Sequence, residues 1–172
     1  GRLDYAMLTH FHTDHMGQVA GATPVSKSGA YKLTGLTEVG DRIPIAKMLD
    51  RGWPDYAYPA PLDNAEVNNY RAFLAWQAAN RGMRVERFQP GRNDQIVLVR
   101  APKAHPNFEI RNLVANGEVW TGVGSQTRRH FPALDSIPAS DRPSENMCSA
   151  GFRLSYGRFD YYTGGDIPGI PD

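Results

Sequence analysis

The sequence predicts an α/β fold, and three observations lead to this prediction. The apolar run 3–8 is typical of a buried strand. Residues 64–80 carry apolar side chains three and four positions apart, which indicates an amphipathic helix. After Gly82 the pattern changes to short alternating segments separated by turn signals, which indicates strands. With 172 residues the chain can bury a sizeable core, and we expect a single domain over residues 1–172.

The helices are predicted from their end signals. The clearest helix begins at Asp63 or Asn64 and ends before Gly82, which is a common residue just past a helix end. A second helix is predicted over 43–50, with Asp41 as its cap and Pro44 in its first turn. A further helix is expected to begin at about Met16.

Turn residues define the rest of the chain. Segment 52–62 is rich in proline and aromatic residues and cannot be a regular element. It either lines a substrate groove or packs its rings on the core. Asn116-Gly117 predicts a hairpin between strands 108–115 and 118–121. A second hairpin is expected over 149–162, turning near Gly157, and the stretch 122–147 between the hairpins is expected to be irregular.

The composition excludes few functions. Hydrophobic residues make up 41% and charged residues 22%, which is ordinary for a globular protein. A net charge of +1 gives no general argument for nucleic-acid binding. The single cysteine, Cys148, excludes an intramolecular disulfide and a cysteine metal cluster. No apolar run reaches the length of a membrane span. The sequence does not distinguish a location in the bacterial cytoplasm from one in the cell envelope.

A cluster of metal-ligand residues follows the first strand, in the segment Thr9-His10-Phe11-His12-Thr13-Asp14-His15-Met16-Gly17. Three of the five histidines of the chain lie in it. Residues two apart in an extended segment point the same way, so His10 and His12 can offer imidazole nitrogens to one ion. Asp14 and His15 come later and are placed to serve a second ion. Such ligands suit zinc, and less exclusively iron or manganese.

The motif H-x-H-x-D-H resembles the signature of the metallo-β-lactamase fold hydrolases at every ligand position. The resemblance implies a metallo-β-lactamase-type αββα sandwich, which would be incomplete at both ends here. It also implies two metal ions, His10 and His12 on the first and Asp14 and His15 on the second. In such enzymes a metal-bound hydroxide attacks an ester-type bond, and Asp14 is expected to orient it as the catalytic carboxylate.

A second motif, Thr163-Gly164-Gly165-Asp166, resembles a strand end in this family. That strand ends in Thr-Gly-Asp, and its aspartate bridges the two metals. Asp166 matches the bridging aspartate, although the sequence has one extra glycine. The family's third histidine for the first metal falls near Asn146, where no histidine is close. Asn146, a water, His105 or His130 are the alternatives for that position.

The segment from Asn146 to Gly157 resembles the Asn-x-x-Ser, strand and Tyr-Gly pattern of the hydrolase domain in the DNA-uptake protein ComEC and its relatives. This favours a phosphodiester substrate, and Arg128, Arg129 and His130 are candidates to meet its phosphate. Asn146 is a further candidate for substrate binding. The alternative for this basic run is a solvated surface loop. A small molecule or a nucleic acid would be the partner.

Two other functions stay open. One is hydrolysis of a lactone, β-lactam or thioester on the same centre, and the other is a degenerate metal-binding module without turnover. The motif begins within the first ten residues, so we expect a fragment that lacks an N-terminal part. The family's closing histidine follows the bridging aspartate, and we expect the fragment to lack this residue too, because no histidine follows Asp166 in the sequence.

Overall fold

The computed structural model describes residues 1–169 and has an α/β fold, as the sequence predicts. It divides into two compact units, Gly1–Arg87 and Phe88–Asp172. The prediction of one domain over residues 1–172 stays a prediction, because a domain can contain more than one compact unit. No helix in the described part of the chain has the length and apolar character needed to cross a bilayer.

The first unit contains a three-stranded parallel sheet, ordered β1-β2-β3, and three helices. The strands are β1 (Leu3–Leu8), β2 (Ile45–Asp50) and β3 (Arg84–Arg87), and the helices are α1 (Thr13–Met16), α2 (Gly35–Arg42) and α3 (Ala65–Arg81). Parallel strands need crossover connections, which the segments with α2 and α3 supply. The carboxyl ends of the strands therefore meet at one edge, where Leu8 of β1 pairs with Asp50 of β2.

The core of the first unit lies between this sheet and α3. The Asn64 side chain caps α3 by accepting a hydrogen bond from the Val67 N–H at 2.8 Å. Gly82 ends the helix in the left-handed conformation, at a φ of 68°. One face of α3 is fully buried, and its apolar members are Val67, Tyr70, Phe73 and Leu74. The prediction of this helix is confirmed.

The predicted helix over 43–50 is wrong. This segment holds the central strand β2, and the helix before it, α2, ends at Arg42. Five of the six β2 residues are buried, so side chains on both faces of this strand are covered. A strand buried on both faces lacks the alternation that distinguishes a strand from a helix in a sequence. The helix expected from Met16 onward also lies elsewhere, since α1 ends at Met16.

The second unit contains a five-stranded antiparallel sheet, ordered β6-β5-β4-β7-β8. Its strands are β4 (Phe108–Ala115), β5 (Glu118–Trp120), β6 (Thr127–Arg129), β7 (Gly151–Tyr156) and β8 (Phe159–Thr163), with short 3-10 turns at Pro102–Ala104, Leu134–Ser136, Ala139–Asp141 and Asn146–Cys148. Both predicted hairpins are confirmed, since Asn116 and Gly117 adopt positive φ between β4 and β5, and Gly157 does so between β7 and β8. Strand β6 lies in the stretch that was expected to be irregular.

Candidate metal centre

The three histidines of the first motif form a cluster of rings in the first unit. His10 is completely buried, whereas His12 and His15 are exposed. The ring centroids lie 4.9 Å apart for His10 and His12, and 4.1 Å apart for His10 and His15. One ring nitrogen of His10 lies within 4.8 Å of one of His15. The chain segment after β1 thus gathers three imidazoles around one buried ring.

This arrangement fits the donor set of a zinc site. Two histidine nitrogens on one tetrahedral zinc, each at about 2.0–2.1 Å, are themselves roughly 3.3 Å apart. The His10 and His15 nitrogens lie within 4.8 Å of each other, and rotation of the exposed His15 side chain can bring them to that separation. Thr9 Oγ1 lies 3.2 Å from His10 Nδ1. In the tautomer protonated at Nδ1, His10 donates to Thr9, and Nε2 carries the lone pair that a metal needs.

Asp14 has a different environment from His10. Its side chain is 73% exposed, and its Oδ2 lies 3.6 Å from His15 Nε2. In the described residues, no group of three potential ligand atoms within 4.8 Å of one another includes Asp14 or His12. The structure therefore brings His10 closest to His15, whereas the sequence grouped His10 with His12.

Phe11 and Gly17 fix the conformation of the motif loop. Phe11, which points away from the flanking histidines, is buried against Tyr56 and Tyr70 at centroid distances of 5.4 and 6.1 Å. Gly17 has a φ of 91°, and a Cβ at this position would lie 2.3 Å from the backbone nitrogen of Gly35. The glycine that ends the motif is thus required by the close approach of the first residue of α2.

The sequence interpretation missed a buried carboxylate beside the motif. Asp50 ends β2 and is completely buried. Its Oδ1 accepts hydrogen bonds from the N–H groups of Gly52 and Trp53 at 2.8 and 2.7 Å, and its Oδ2 accepts from the Tyr56 and Tyr70 hydroxyls at 2.9 Å each. No spacing pattern in the sequence marks this residue. Its placement at the carboxyl edge of a parallel sheet, where ligands commonly bind, is the only available signal.

The Asp50 network determines how segment 52–62 packs. Burial raises the pKa of the Asp50 carboxyl above its ordinary value, and the four hydrogen bonds oppose this rise. Burial also raises the pKa of both tyrosine hydroxyls, so Tyr56 and Tyr70 remain donors. The Tyr56 ring contacts Phe11 of the motif, and the aromatic segment thereby packs on the core. This favours the core-packing alternative for Tyr56.

The second unit contains the remaining candidate residues. Asp166 follows β8, and its backbone N–H donates to Ser149 Oγ at 3.3 Å. A Cβ on Gly164 would lie 2.2 Å from the hydroxyl of the exposed Tyr162 side chain, which would have to move. Asn146 begins a 3-10 turn, and its Oδ1 is buried without a hydrogen-bond partner in the part of the chain that the structure describes.

Two residues of the basic run lie in a strand, and the run is exposed, so the alternative of a solvated surface segment stays open. Arg128 and Arg129 are exposed residues of the edge strand β6, and Arg128 Nη2 lies 3.3 Å from His130 Nε2. His105, the other candidate for the third metal histidine, has its Nδ1 2.9 Å from the Tyr156 hydroxyl.

Comparisons with known proteins identify no relative. No protein-family model matches the chain, and neither the curated proteins nor the solved structures include a significant match. What the fold and the site define is an α/β protein with a candidate metal centre at the carboxyl edge of a parallel sheet.

Proposed function

We propose that this chain is a metal-dependent hydrolase that acts on phosphodiester-type substrates. The observation that supports the proposal most is the cluster of His10, His12 and His15, with His10 fully buried at the end of β1. Two imidazoles, with ring centroids 4.9 and 4.1 Å from that of His10, provide together with His10 the nitrogen donors that zinc sites commonly use. As part of the same proposal, the α/β fold is of the metallo-β-lactamase sandwich type.

The proposed ligands are His10, His12, Asp14, His15 and Asp166. Imidazole and carboxylate donors favour zinc, in two ions, with manganese or iron as alternatives. A bound zinc would lower the pKa of a coordinated water towards neutrality and polarise the bond under attack. Asp166 is included because of its position after a strand and two glycines, which match the family's bridging aspartate.

The chain's own residues have separate roles in this proposal. His10 is held by burial and by Thr9, so it supplies a fixed ligand position. Asp14 is exposed and can accept a hydrogen bond from the attacking water, thereby orienting it. Arg128 and Arg129 are exposed on β6, and guanidinium groups match the oxygens of a phosphodiester. Cys148 is completely buried and has no role in the chemistry.

Zinc titration followed by calorimetry tests the binding half of the proposal. We expect the wild-type chain to bind zinc and the exposed-site variants His12→Ala and His15→Ala to bind at least tenfold more weakly, as expected for a lost ligand. Asp135→Ala is the control, because it removes an exposed potential ligand outside the motif and outside every candidate metal position, and it should leave the affinity unchanged. Equal zinc affinity in all four proteins would contradict the proposed site.

A hydrolysis assay tests the catalytic half. Bis(p-nitrophenyl) phosphate is the phosphodiester probe, and a lactone and a nitrocefin-type β-lactam are the comparison substrates. We expect phosphodiester cleavage that chelation abolishes and added zinc or manganese restores. Preferential lactone or β-lactam cleavage would replace the substrate assignment, and zinc binding without any turnover would instead support a metal-binding module.

A further inference from the structure

The second unit contains a cavity of about 500 Å³ beside strand β4. This volume falls in the range of pockets that hold ligands. Residues of the segment before β4 and of β4 itself line it, among them Ile96, Leu98, Phe108, Glu109 and Ile110. Apolar side chains predominate, and the lining includes neither lysine nor arginine. A phosphate-bearing ligand is therefore a poor fit for this cavity.

Strand β4 contributes to the lining of this cavity, and part of its edge has no neighbouring strand. In a strand, the N–H and C=O groups of one residue point to the same neighbour, and those of the next residue point to the other. The Asn112 N–H donates to the Arg92 carbonyl at 2.8 Å, and the Asn112 carbonyl accepts from the Gly91 N–H at 2.9 Å. The backbone N–H and C=O groups of Asn112 therefore point away from β7. Those of Ile110, two residues earlier, do so too.

Ile110 has no strand beside it on that side. β4 pairs with β5 only at Val114 and Ala115, so β5 does not extend to Ile110. Within residues 1–169, no hydrogen bond to the N–H or C=O of Ile110 joins it to the segment before β4. Ile110 is nevertheless only 8% exposed. Backbone groups that lie at a covered position without a partner cost about 1–3 kcal/mol each, which a bound partner would recover.

The segment before β4 is held against the strand by the Asn112 side chain. The Asn112 side chain donates to the Gln89 carbonyl at 3.0 Å and to Gln95 Oε1 at 2.8 Å. Gln95 and Asn112 are both buried, so this contact fixes the segment against β4 as far as Asn112. Residues 96–98 follow Gln95 directly and also line the cavity.

We propose that this cavity is a docking site for an extended apolar peptide segment that adds to the open edge of β4 at Ile110. One residue of the peptide donates its N–H to the Ile110 carbonyl and accepts from the Ile110 N–H, as strands added to a sheet edge do. Its side chains contact the apolar walls at Ile96 and Leu98. This site is separate from the proposed metal centre and does not depend on it.

Amide hydrogen exchange of the full chain tests the edge directly. Without peptide, the Ile110 N–H should exchange faster than the Arg111 N–H, because Arg111 faces β7 in the ladder. An acetylated and amidated trivaline peptide should slow the exchange of Ile110 by about tenfold or more at saturation. The same peptide with its central amide N-methylated is the matched control and should give little protection, because it lacks the donor.

Two variants add a second readout by NMR titration with the trivaline peptide. Leu98→Trp fills the cavity and should abolish binding, whereas Val123→Trp, at a position 60% exposed and outside the cavity, should not. Three results would overturn the proposal: Ile110 as protected as Arg111 in the free chain, equal binding of both peptides, or no peptide binding at millimolar concentration. Protection of Ile110 that increases with protein concentration alone would also overturn it, because a second copy would then occupy the edge.

Discussion

Replacement of Asp50 by alanine should destabilise the first unit strongly. The substitution leaves four buried donors without an acceptor: the N–H groups of Gly52 and Trp53 and the hydroxyls of Tyr56 and Tyr70. Each unsatisfied donor costs about 1–3 kcal/mol, so the free energy of unfolding should fall by roughly 4 kcal/mol or more. That loss is a large part of the stability of a typical domain.

Urea unfolding monitored by tryptophan fluorescence measures this effect. Asp55→Ala is the matched control, because Asp55 is 65% exposed and forms a surface ion pair with Arg87 at 2.7 Å. Surface pairs of this kind contribute less than about 1 kcal/mol. Equal unfolding midpoints for Asp50→Ala and Asp55→Ala would refute the reasoning about the Asp50 network.

The same residue predicts a pH dependence. Burial raises the pKa of Asp50 in the folded state above the ordinary value of 3.8, so the folded state holds this proton more tightly than the unfolded state. The stabilising contribution is complete below pH 3.8 and decreases as the pH rises through the raised pKa of the folded state. Asp50→Asn cannot titrate. The unfolding free energy of the wild type minus that of Asp50→Asn should therefore fall as the pH rises above 3.8, and a difference that is constant or rises would show the sign to be wrong.

Three further predictions concern the motif and the cysteine. Gly17→Ala should lower the free energy of unfolding by at least about 2 kcal/mol, because φ is 91° and the new Cβ would meet the backbone of Gly35. Gly21→Ala is the control, because nothing lies within 4 Å of its Cβ, and it should change the free energy of unfolding by less than about 0.5 kcal/mol in the same urea assay. Asp14→Ala should lower metal-dependent turnover by at least about 100-fold, roughly 3 kcal/mol of barrier stabilisation, and unchanged turnover would contradict its proposed role. Cys148→Ala should reduce stability modestly and leave turnover nearly unchanged, and a large loss of turnover at full folding would contradict the assignment.

The sequence predicted the elements whose signals are local. Helix α3 has a cap, an amphipathic stripe and a terminal glycine, and the hairpin at Asn116 and Gly117 depends on two residues that accept positive φ. Strand β2 was predicted as a helix because nearly all of its residues are buried, and this burial arises only in the folded chain, where local residues do not reveal it. Strand β6 was missed for a similar reason, since its three residues gain their conformation by pairing with β5.

The candidate site was predictable to the extent that its residues are close in sequence. The motif from His10 to His15 marks itself by residue type and spacing, and the structure brings its three imidazoles together. Asp50 lies 35 residues after His15 and became adjacent to the motif only through the pairing of β1 with β2. A lone aspartate at the end of a misassigned helix gave no reason to include it.

Zinc-edge anomalous diffraction from crystals grown with zinc shows directly whether the motif loop binds a metal ion. We expect an anomalous peak at the motif loop, with the imidazole nitrogens of His10 and His15 at about 2.0–2.1 Å from the ion. Crystals of the His15→Ala variant should show a weakened or absent peak at the same place. Zinc bound elsewhere on the chain, with no density among the three imidazoles, would contradict the claim that this motif is a metal centre.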